Sequence, residues 1–174
     1  MDLSVLTLTT DRLRLSAYCE ADAAGIHAYV TPTMTRYLSF DPLESVDELI
    51  ALDHVWVEHS RAGTEVAVTV RQIDNGSFVE MAGLHYCDDP EPEVGIWIRE
   101  GFHGRGFGKE AIAALAHFTG DVLGEAAVIY LVVDANTCSR RIAEGLGGTI
   151  IDHRVLHKPS GLKQPLVVYR IATS

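Results

Sequence analysis

Cysteine is scarce in this sequence. The 174 residues include three cysteines, Cys19, Cys87 and Cys138, and none belongs to a CxxC pair. The sequence therefore predicts neither a disulfide framework nor a thiolate zinc site, and the odd number of cysteines is typical of a reducing compartment. His153 and His157 are four residues apart, but they fall in a predicted strand rather than a helix, so their spacing does not indicate a metal-binding pair. We expect no metal site.

Positive charge is also under-represented. The chain has 14 Lys and Arg residues against 24 Asp and Glu residues, which gives a net charge of −10. Such a surface repels phosphate backbones, so no nucleic-acid partner is expected; the same sign either attracts a cation such as a protonated amine or serves solubility alone. No apolar run reaches the length of a membrane span, and the first residues lack the pattern of a signal peptide. We expect a cytoplasmic protein with no membrane partner.

The chain does contain an alternation of strand and helix patterns along its whole length. The predicted strands are 12–17, 65–71, 79–86, 93–98, 126–133, 149–155 and 166–171, and the predicted helices are 21–30, 45–61, 108–123 and 139–146. Ser45 and Glu48 form the S-x-x-E pattern of a capping box, and Asn75-Gly76 is a hairpin turn. This order predicts a single α/β domain over residues 1–174, with a mixed sheet of about seven strands and about four helices.

The most informative stretch is a glycine-rich turn between the fourth predicted strand and the helix that follows it. It reads His103-Gly104-Arg105-Gly106-Phe107-Gly108-Lys109. Glycine allows positive φ and a close approach of an anion to the backbone, and the start of a helix favours a phosphate. This context predicts a main-chain pyrophosphate site, with a flexible connection as the alternative. Two nucleotide-binding motifs are excluded: Lys109 replaces the third glycine of a dinucleotide fingerprint, and Glu110 replaces the hydroxyl residue of a Walker A loop.

The turn resembles the pyrophosphate-binding motif Q/R-x-x-G-x-G/A of the GNAT superfamily of N-acetyltransferases. Several stretches are similar to the branch typified by ribosomal-protein N-terminal acetyltransferases: LTTDRLRL (8–15), EVGIWI (93–98), GRGFGKEAI (104–112) and VDANTCSRRIAEGLGG (133–148). One departure is His103, which stands where the motif has Gln or Arg, so that any side-chain contact with phosphate would differ. The resemblance implies one GNAT-type domain whose fourth and fifth predicted strands splay apart.

The resemblance also implies that acetyl-CoA binds as a cosubstrate between the splayed strands. There the main chain of residues 96–98 would bind the pantetheine arm and help polarise the thioester carbonyl. Asn136 and Ser139 match an N-x-x-S pattern that faces the cofactor in this family, although a strand end and a helix cap are alternative roles. The predicted cofactor-binding residues are Ile96, Trp97, Ile98, His103, Gly104, Arg105, Gly106, Phe107, Gly108, Lys109, Asn136 and Ser139.

The implied reaction is transfer of an acetyl group to a primary amine by direct attack in a ternary complex, and no Cys–His pair indicates an acyl-enzyme. Glu93 matches the acidic position of the family's fourth strand and is the predicted base. His85, Asp88 and water are the alternatives, and Glu93 has a solvated carboxylate as its alternative role. The helix after the fifth strand lacks the family's tyrosine, so Ser139 is the predicted acid for the leaving thiolate.

The predicted partner is an amine, either a protein N-terminus or a small molecule. In this family, the residues that contact the acceptor usually come from the first two helices and the last hairpin. Residues 33–38 and 153–163 are therefore expected around the acceptor. The sequence favours neither a monomer nor a homodimer. A non-catalytic acyl-CoA-binding module with the same fold is the alternative function.

Overall fold

The alternating patterns form one mixed sheet with helices on both of its faces. The computed structural model describes residues 1–43 and 45–174, and within them the chain forms eight strands and five α-helices. The strands are β1 (Thr7–Thr9), β2 (Leu13–Ala17), β3 (Val66–Gln72), β4 (Phe78–His85), β5 (Glu93–Ile98), β6 (Ala127–Val133), β7 (Thr149–His157) and β8 (Lys163–Ala172). The helices are α1 (Ala23–His27), α2 (Pro32–Thr35), α3 (Val46–Ala62), α4 (Phe107–Phe118) and α5 (Thr137–Gly145). The predicted α/β class is confirmed.

Local signals account for most of the element boundaries. The Ser45 side chain accepts the Glu48 main-chain N–H at 3.2 Å, so the capping box begins α3 as predicted. Gly76 has a φ of +69°, as the turn between β3 and β4 requires. The helix predicted over 108–123 instead ends at Phe118 and continues as a π-helical turn to Leu123.

The sequence analysis did not predict two short elements, β1 and α2. β1 has three residues and α2 has four, so neither is long enough to show a period of two or of 3.6 residues. α2 nevertheless has a local signal, because Pro32 follows Thr31, whose side chain accepts the Met34 N–H at 3.1 Å. The observed sheet therefore has one strand more than the seven predicted.

The sheet opens in its middle. The strand order is β1-β2-β3-β4-β5-β6-β8-β7, and β5–β6 is its one parallel pair within the part of the chain that the structure describes. β5 has six residues, but it pairs with β6 at two positions, Glu93 with Ile129 and Val94 with Tyr130. Beyond Val94 the two strands separate, which confirms the predicted splay.

Apolar side chains cover both faces of this sheet. On one face, Ile112 and Leu115 of α4 belong to a buried cluster with Leu15 and Leu84 of the strands. On the other face, a smaller cluster places Met81 among residues of α1 and α3. The separated ends of β5 and β6 therefore lie between two packed layers. None of the helices within the described ranges is long and apolar enough to span a membrane.

Candidate functional site

The glycine turn leads from the end of β5 into the first turn of α4. Gly104 and Gly106 have φ values of +73° and +80°, and Gly106 directly precedes the helix. In the described chain no side chain caps α4. The first N–H groups of the helix, from Phe107 to Lys109, have no acceptor within the helix. The turn thus presents main-chain donors and a positive helix end to an anion.

Gly108 is glycine for a different reason. A Cβ at this position would lie 2.6 Å from Cδ1 of Ile98 and 2.9 Å from Cδ1 of Ile142. The missing side chain therefore allows α4 to lie close to β5 and α5, and only the main chain of Gly108 is available to a ligand.

Glu110 anchors the glycine turn to the beginning of β2. Its carboxylate accepts the Thr10 hydroxyl at 2.5 Å and Nε of Arg12 at 2.7 Å, and Arg12 also donates to the Arg105 carbonyl at 3.1 Å. Partial burial raises the pKa of Glu110, but the hydrogen bonds from Thr10 and Arg12 outweigh it and lower the pKa overall. Sequence reasoning missed this anchor because the residues are about a hundred positions apart in the chain.

His103 holds the other side of the turn. Its Nε2 lies 2.8 Å from the main-chain oxygen of Ile98, and a carbonyl can only accept, so Nε2 is the donor. The ring that departs from the family motif therefore ties the turn to the end of β5.

The main chain of β5 has one edge free of strand pairing where β6 has separated. The Arg99 N–H donates to the Val79 oxygen at 3.0 Å, and the β4–β5 register is unbroken. Alternate residues of an antiparallel strand bond to the same neighbour, so the main chain of Trp97 also faces β4, whereas Ile96 and Ile98 face the gap. This register differs from the prediction for Trp97, whose side chain lines the cavity described next.

A cavity of about 450 Å³ opens where β5 and β6 separate, and we call it the central cavity. Its lining includes Glu93 and Ser139, the two predicted catalytic residues, together with His85 and Asn136. Asp88, one of the alternative bases, is exposed in the loop after β4 and does not line the cavity.

Glu93 has an ionisable neighbourhood on the cavity wall. It pairs with His85 across β4 and β5, and Nδ1 of His85 lies 3.6 Å from a carboxylate oxygen of Glu65. Burial is the main cause that raises the pKa of Glu93; Glu65 adds to it, whereas His85 and Arg154 oppose it. These features argue against a solvated carboxylate. Sequence reasoning missed a role for Glu65, because nothing local distinguishes it from any other polar residue at the beginning of a strand.

Asn136 caps α5 and binds the Ser139 hydroxyl, which in turn contacts Tyr130. Its Oδ1 accepts the Ser139 N–H at 3.3 Å and its Nδ2 donates to Ser139 Oγ at 3.1 Å, so Asn136, not Ser139, is the cap. The Ser139 hydroxyl bonds to the phenol of Tyr130, which also lines the cavity. Burial, with a contribution from Glu80, raises the pKa of Tyr130 to about 12, and the Ser139 bond opposes it. Sequence reasoning missed Tyr130; the signal was a tyrosine within a buried apolar run, where its hydroxyl needs a partner.

Comparison with known families decides what this arrangement is. The family model for the acetyltransferase (GNAT) domain matches residues 12–149. The chain belongs to the GNAT acetyltransferase family. The protein is thus an acetyl-CoA-dependent acetyltransferase, as the resemblance of the glycine turn and its neighbouring stretches led us to expect. Within the described residues of this acetyltransferase, no group of three or more His, Cys, Asp or Glu side chains is placed to hold a metal ion.

Solved structures share the fold of the acetyltransferase at low identity. The spermidine N-acetyltransferase of Vibrio cholerae, in complex with CoA and spermine, has a TM-score of 0.80 at 20% identity, over 94% of this chain and 97% of that one. A GNAT-family acetyltransferase from Bacillus anthracis has a TM-score of 0.81 at 16% identity, over 97% and 99% of the two chains. At these identities the likeness establishes the fold alone.

The two segments expected around the acceptor meet beside the central cavity of the acetyltransferase. The buried Lys158 amine, in the turn between β7 and β8, donates to the Thr35 carbonyl at 3.0 Å and lies 3.3 Å from the Asp41 carboxylate. Tyr37 from the first segment and Leu156 from the second line the cavity. The structure thus brings residues 33–38 and 153–163 together, although they are far apart in sequence.

Proposed function

We propose that this acetyltransferase acetylates a primary amine by direct attack in a ternary complex with acetyl-CoA. The observation that carries the proposal is the position of Glu93. It is a half-buried carboxylate on the cavity wall, in the paired end of β5, one residue before the last position that pairs with β6. An amine that enters the cavity there meets a base beside the free edge of β5. The spermidine N-acetyltransferase with the same fold acts on an amine, which supports this acceptor class.

The residues present fit acetyl-CoA. The turn from His103 to Lys109 offers uncapped main-chain donors to a pyrophosphate. The gap edge of β5 offers the main chain of Ile96 and the N–H of Ile98 to the amides of a pantetheine arm, because the Ile98 carbonyl already accepts from His103. Bound acetyl-CoA supplies the acetyl group as a thioester. The free N–H groups of β5 are fixed dipoles of the kind that stabilise an oxyanion.

Glu93 receives the proton that the amine must lose. A lysine-type amine has a pKa of about 10.4 and a peptide α-amine one of about 7.7–8.0, so either is partly or mostly charged near neutral pH. A base works best when its own pKa approaches the working pH, and burial moves the pKa of Glu93 in that direction. His85 stands between Glu93 and Glu65 and is the nearest alternative base.

Tyr130 and Ser139 face the departing sulfur in our proposal. Asn136 donates to Ser139, and Ser139 bonds to the Tyr130 oxygen, so the phenolic proton is free to point into the cavity. A phenol with a pKa of about 12 does not readily give its proton to a thiolate, because thiols titrate near 8.5. Tyr130 therefore stabilises the sulfur as a hydrogen-bond donor. We therefore expect Tyr130→Phe to lower kcat more than Ser139→Ala does. A smaller loss of kcat in Tyr130→Phe would contradict this role of Tyr130.

Thiol release from acetyl-CoA, followed over a panel of amines, tests the proposed function. We expect release that depends on the amine, with an N-acetylated product of matching mass. Acetyl-CoA that binds without transfer to any amine would contradict the proposal and favour a non-catalytic acyl-CoA-binding module.

A further inference from the structure

We propose that the acceptor carries one positive charge beside an apolar, preferably aromatic, body. This inference rests on the proposed function and names the substrate class of the same site. It follows from the distribution of charge and aromatic rings over the wall of the central cavity.

Negative charge is confined to one end of the cavity. Among the described residues that line it, the carboxylates are Glu65 and Glu93. Both adjoin His85, which lies 3.6 Å from Glu65 and pairs with Glu93 across the strands. Glu65 also lies 3.3 Å from Nδ1 of His59. The two carboxylates therefore make the end of the cavity next to the point of transfer its negative end.

The remainder of the wall is largely apolar and rich in rings. It includes Tyr37, Phe40, Trp56, Met81, Trp97 and Leu156. Two of these rings pack against other aromatic rings. The ring centroids of Trp56 and Tyr18 are 5.5 Å apart and those of Trp97 and Phe78 are 5.6 Å apart, and both pairs are edge to face. Ring pairs of this geometry hold a preformed apolar surface, which favours an apolar group next to the amine.

A polyamine does not match this wall. Its charges are spread along the chain, so a matching site needs carboxylates along its length, whereas the part of the cavity beyond Glu65 and Glu93 offers none among the described residues. The spermidine N-acetyltransferase of similar fold is only 20% identical to this chain, so its acceptor does not carry over.

A free amino acid does not match either, because its carboxylate needs a cation. No Lys or Arg is found among the described residues of the cavity wall. Arg154 is close enough to lower the pKa of Glu93, but its guanidinium binds Asp152 at 3.0 Å. The Lys158 amine is held by Thr35 and Asp41. The wall thus selects against a second charge of either sign.

The test compares kcat/KM for acceptors that differ in one feature. 2-Phenylethylamine carries one charge and a ring, ethylamine lacks the ring, phenylalanine adds a carboxylate, and spermidine adds positive charges. We expect 2-phenylethylamine to exceed each of the others at least tenfold. Two peptides, with N-terminal Phe and N-terminal Gly, distinguish a protein terminus from a small molecule as the source of the same chemistry.

The outcomes separate this inference from the proposed function. Equal or faster transfer to spermidine, ethylamine or phenylalanine overturns the inference and leaves amine acetylation standing. Transfer to no acceptor, with acetyl-CoA bound, overturns both.

A variant of the apolar wall locates the ring subsite. Phe40→Ser should raise KM for 2-phenylethylamine at least tenfold and leave KM for ethylamine and acetyl-CoA unchanged. Val5→Ser is the matched control, because Val5 is 79% exposed and lies outside the cavity. If Phe40→Ser does not fold, Leu156→Ala tests another apolar residue of the same wall in the same way. An equal loss for both amines would overturn the assignment of the subsite.

Discussion

The Lys158 amine lies 3.3 Å from the Asp41 carboxylate and joins the β7–β8 turn to the chain that follows α2. The contact is nearly closed to solvent on the lysine side, where 4% of the side chain is exposed. Asp41 also accepts the main-chain N–H of Ser160 at 2.9 Å and its hydroxyl at 3.0 Å. This cross-link holds together the two segments that line the acceptor side of the central cavity.

Lys158→Met should loosen this wall and leave the cofactor turn intact. Methionine keeps an apolar stem but removes the bond to the Thr35 carbonyl, which then accepts only the Leu38 N–H, and takes the positive charge away from Asp41. The loss of a hydrogen bond from a charged group typically costs about 1.5–3 kcal/mol. We expect a lower melting temperature and a KM for the amine raised severalfold, with KM for acetyl-CoA unchanged. Lys163→Met, at an exposed position of β8, is the control. A changed KM for acetyl-CoA would contradict this role.

Gly106→Val should weaken coenzyme A binding at least tenfold, or by about 1.4 kcal/mol. The branched side chain enters the turn where the phosphate approaches the main chain, and it strains a φ of +80°. Gly124→Val is the matched control, because Gly124 has the same φ, ends the π-helical turn and has nothing within 4 Å of its Cβ position. Calorimetric titration with coenzyme A measures both. Equal affinities in the two folded variants would argue against the turn as the pyrophosphate site.

Glu93→Gln should lower kcat by about 10²–10⁴-fold, the usual contribution of a general base, with little effect on acetyl-CoA binding. The loss should shrink at high pH, where the amine is already neutral. In the wild type, kcat should rise with pH at values above the ordinary carboxyl range, because burial raises the pKa of Glu93 and the base must be ionised.

The control for this substitution is Glu91→Gln. Glu91 belongs to the same acidic stretch, but its carboxylate binds Nε of Arg170 at 2.6 Å and does not line the cavity. Rates against pH with one accepted amine compare the two. A decrease of less than about threefold in Glu93→Gln would return Glu93 to the role of a solvated carboxylate and make His85 the next residue to test.

Glu80→Gln should stabilise the protein at alkaline pH. Glu80 is fully buried in β4, and neither carboxylate oxygen has a hydrogen-bond partner within the described part of the chain. Burial, with a contribution from Glu110, raises the pKa of Glu80 to about 8. Between about 4.3, the pKa in the unfolded chain, and about 8, the native state holds a proton that the unfolded state has lost. Stability therefore falls as pH rises through this window.

Glutamine removes this dependence because it does not ionise. The melting temperature of Glu80→Gln should exceed that of the wild type at pH 8 by more than the 2–4 °C that about 1 kcal/mol produces in a domain of this size, and the gain should be small at pH 5. Glu58→Gln, at an exposed position of α3, should show no such trend. A gain that is the same at both pH values would show that Glu80 is not the group that titrates.

The sequence by itself determined the parts of this protein that local chemistry specifies. The capping box of Ser45, the hairpin turn at Asn75-Gly76 and the glycine turn before α4 each act within a few residues, so their patterns are readable along the chain. The glycine turn, together with the stretches 8–15, 93–98 and 133–148, carried the resemblance that led to the family and to Glu93.

Only the tertiary structure decided which distant groups meet. Three contacts join residues that no local sequence pattern links: the Thr10–Glu110 bond, the Glu65–His85 contact and the Lys158–Asp41 pair. The direction of the Trp97 main chain also depends on tertiary structure, because it follows from the register with β4. Tyr130 belongs to an apolar strand, and only the fold places Ser139 beside it. Such contacts depend on how the sheet pairs and where it splays, and strand pairing is non-local.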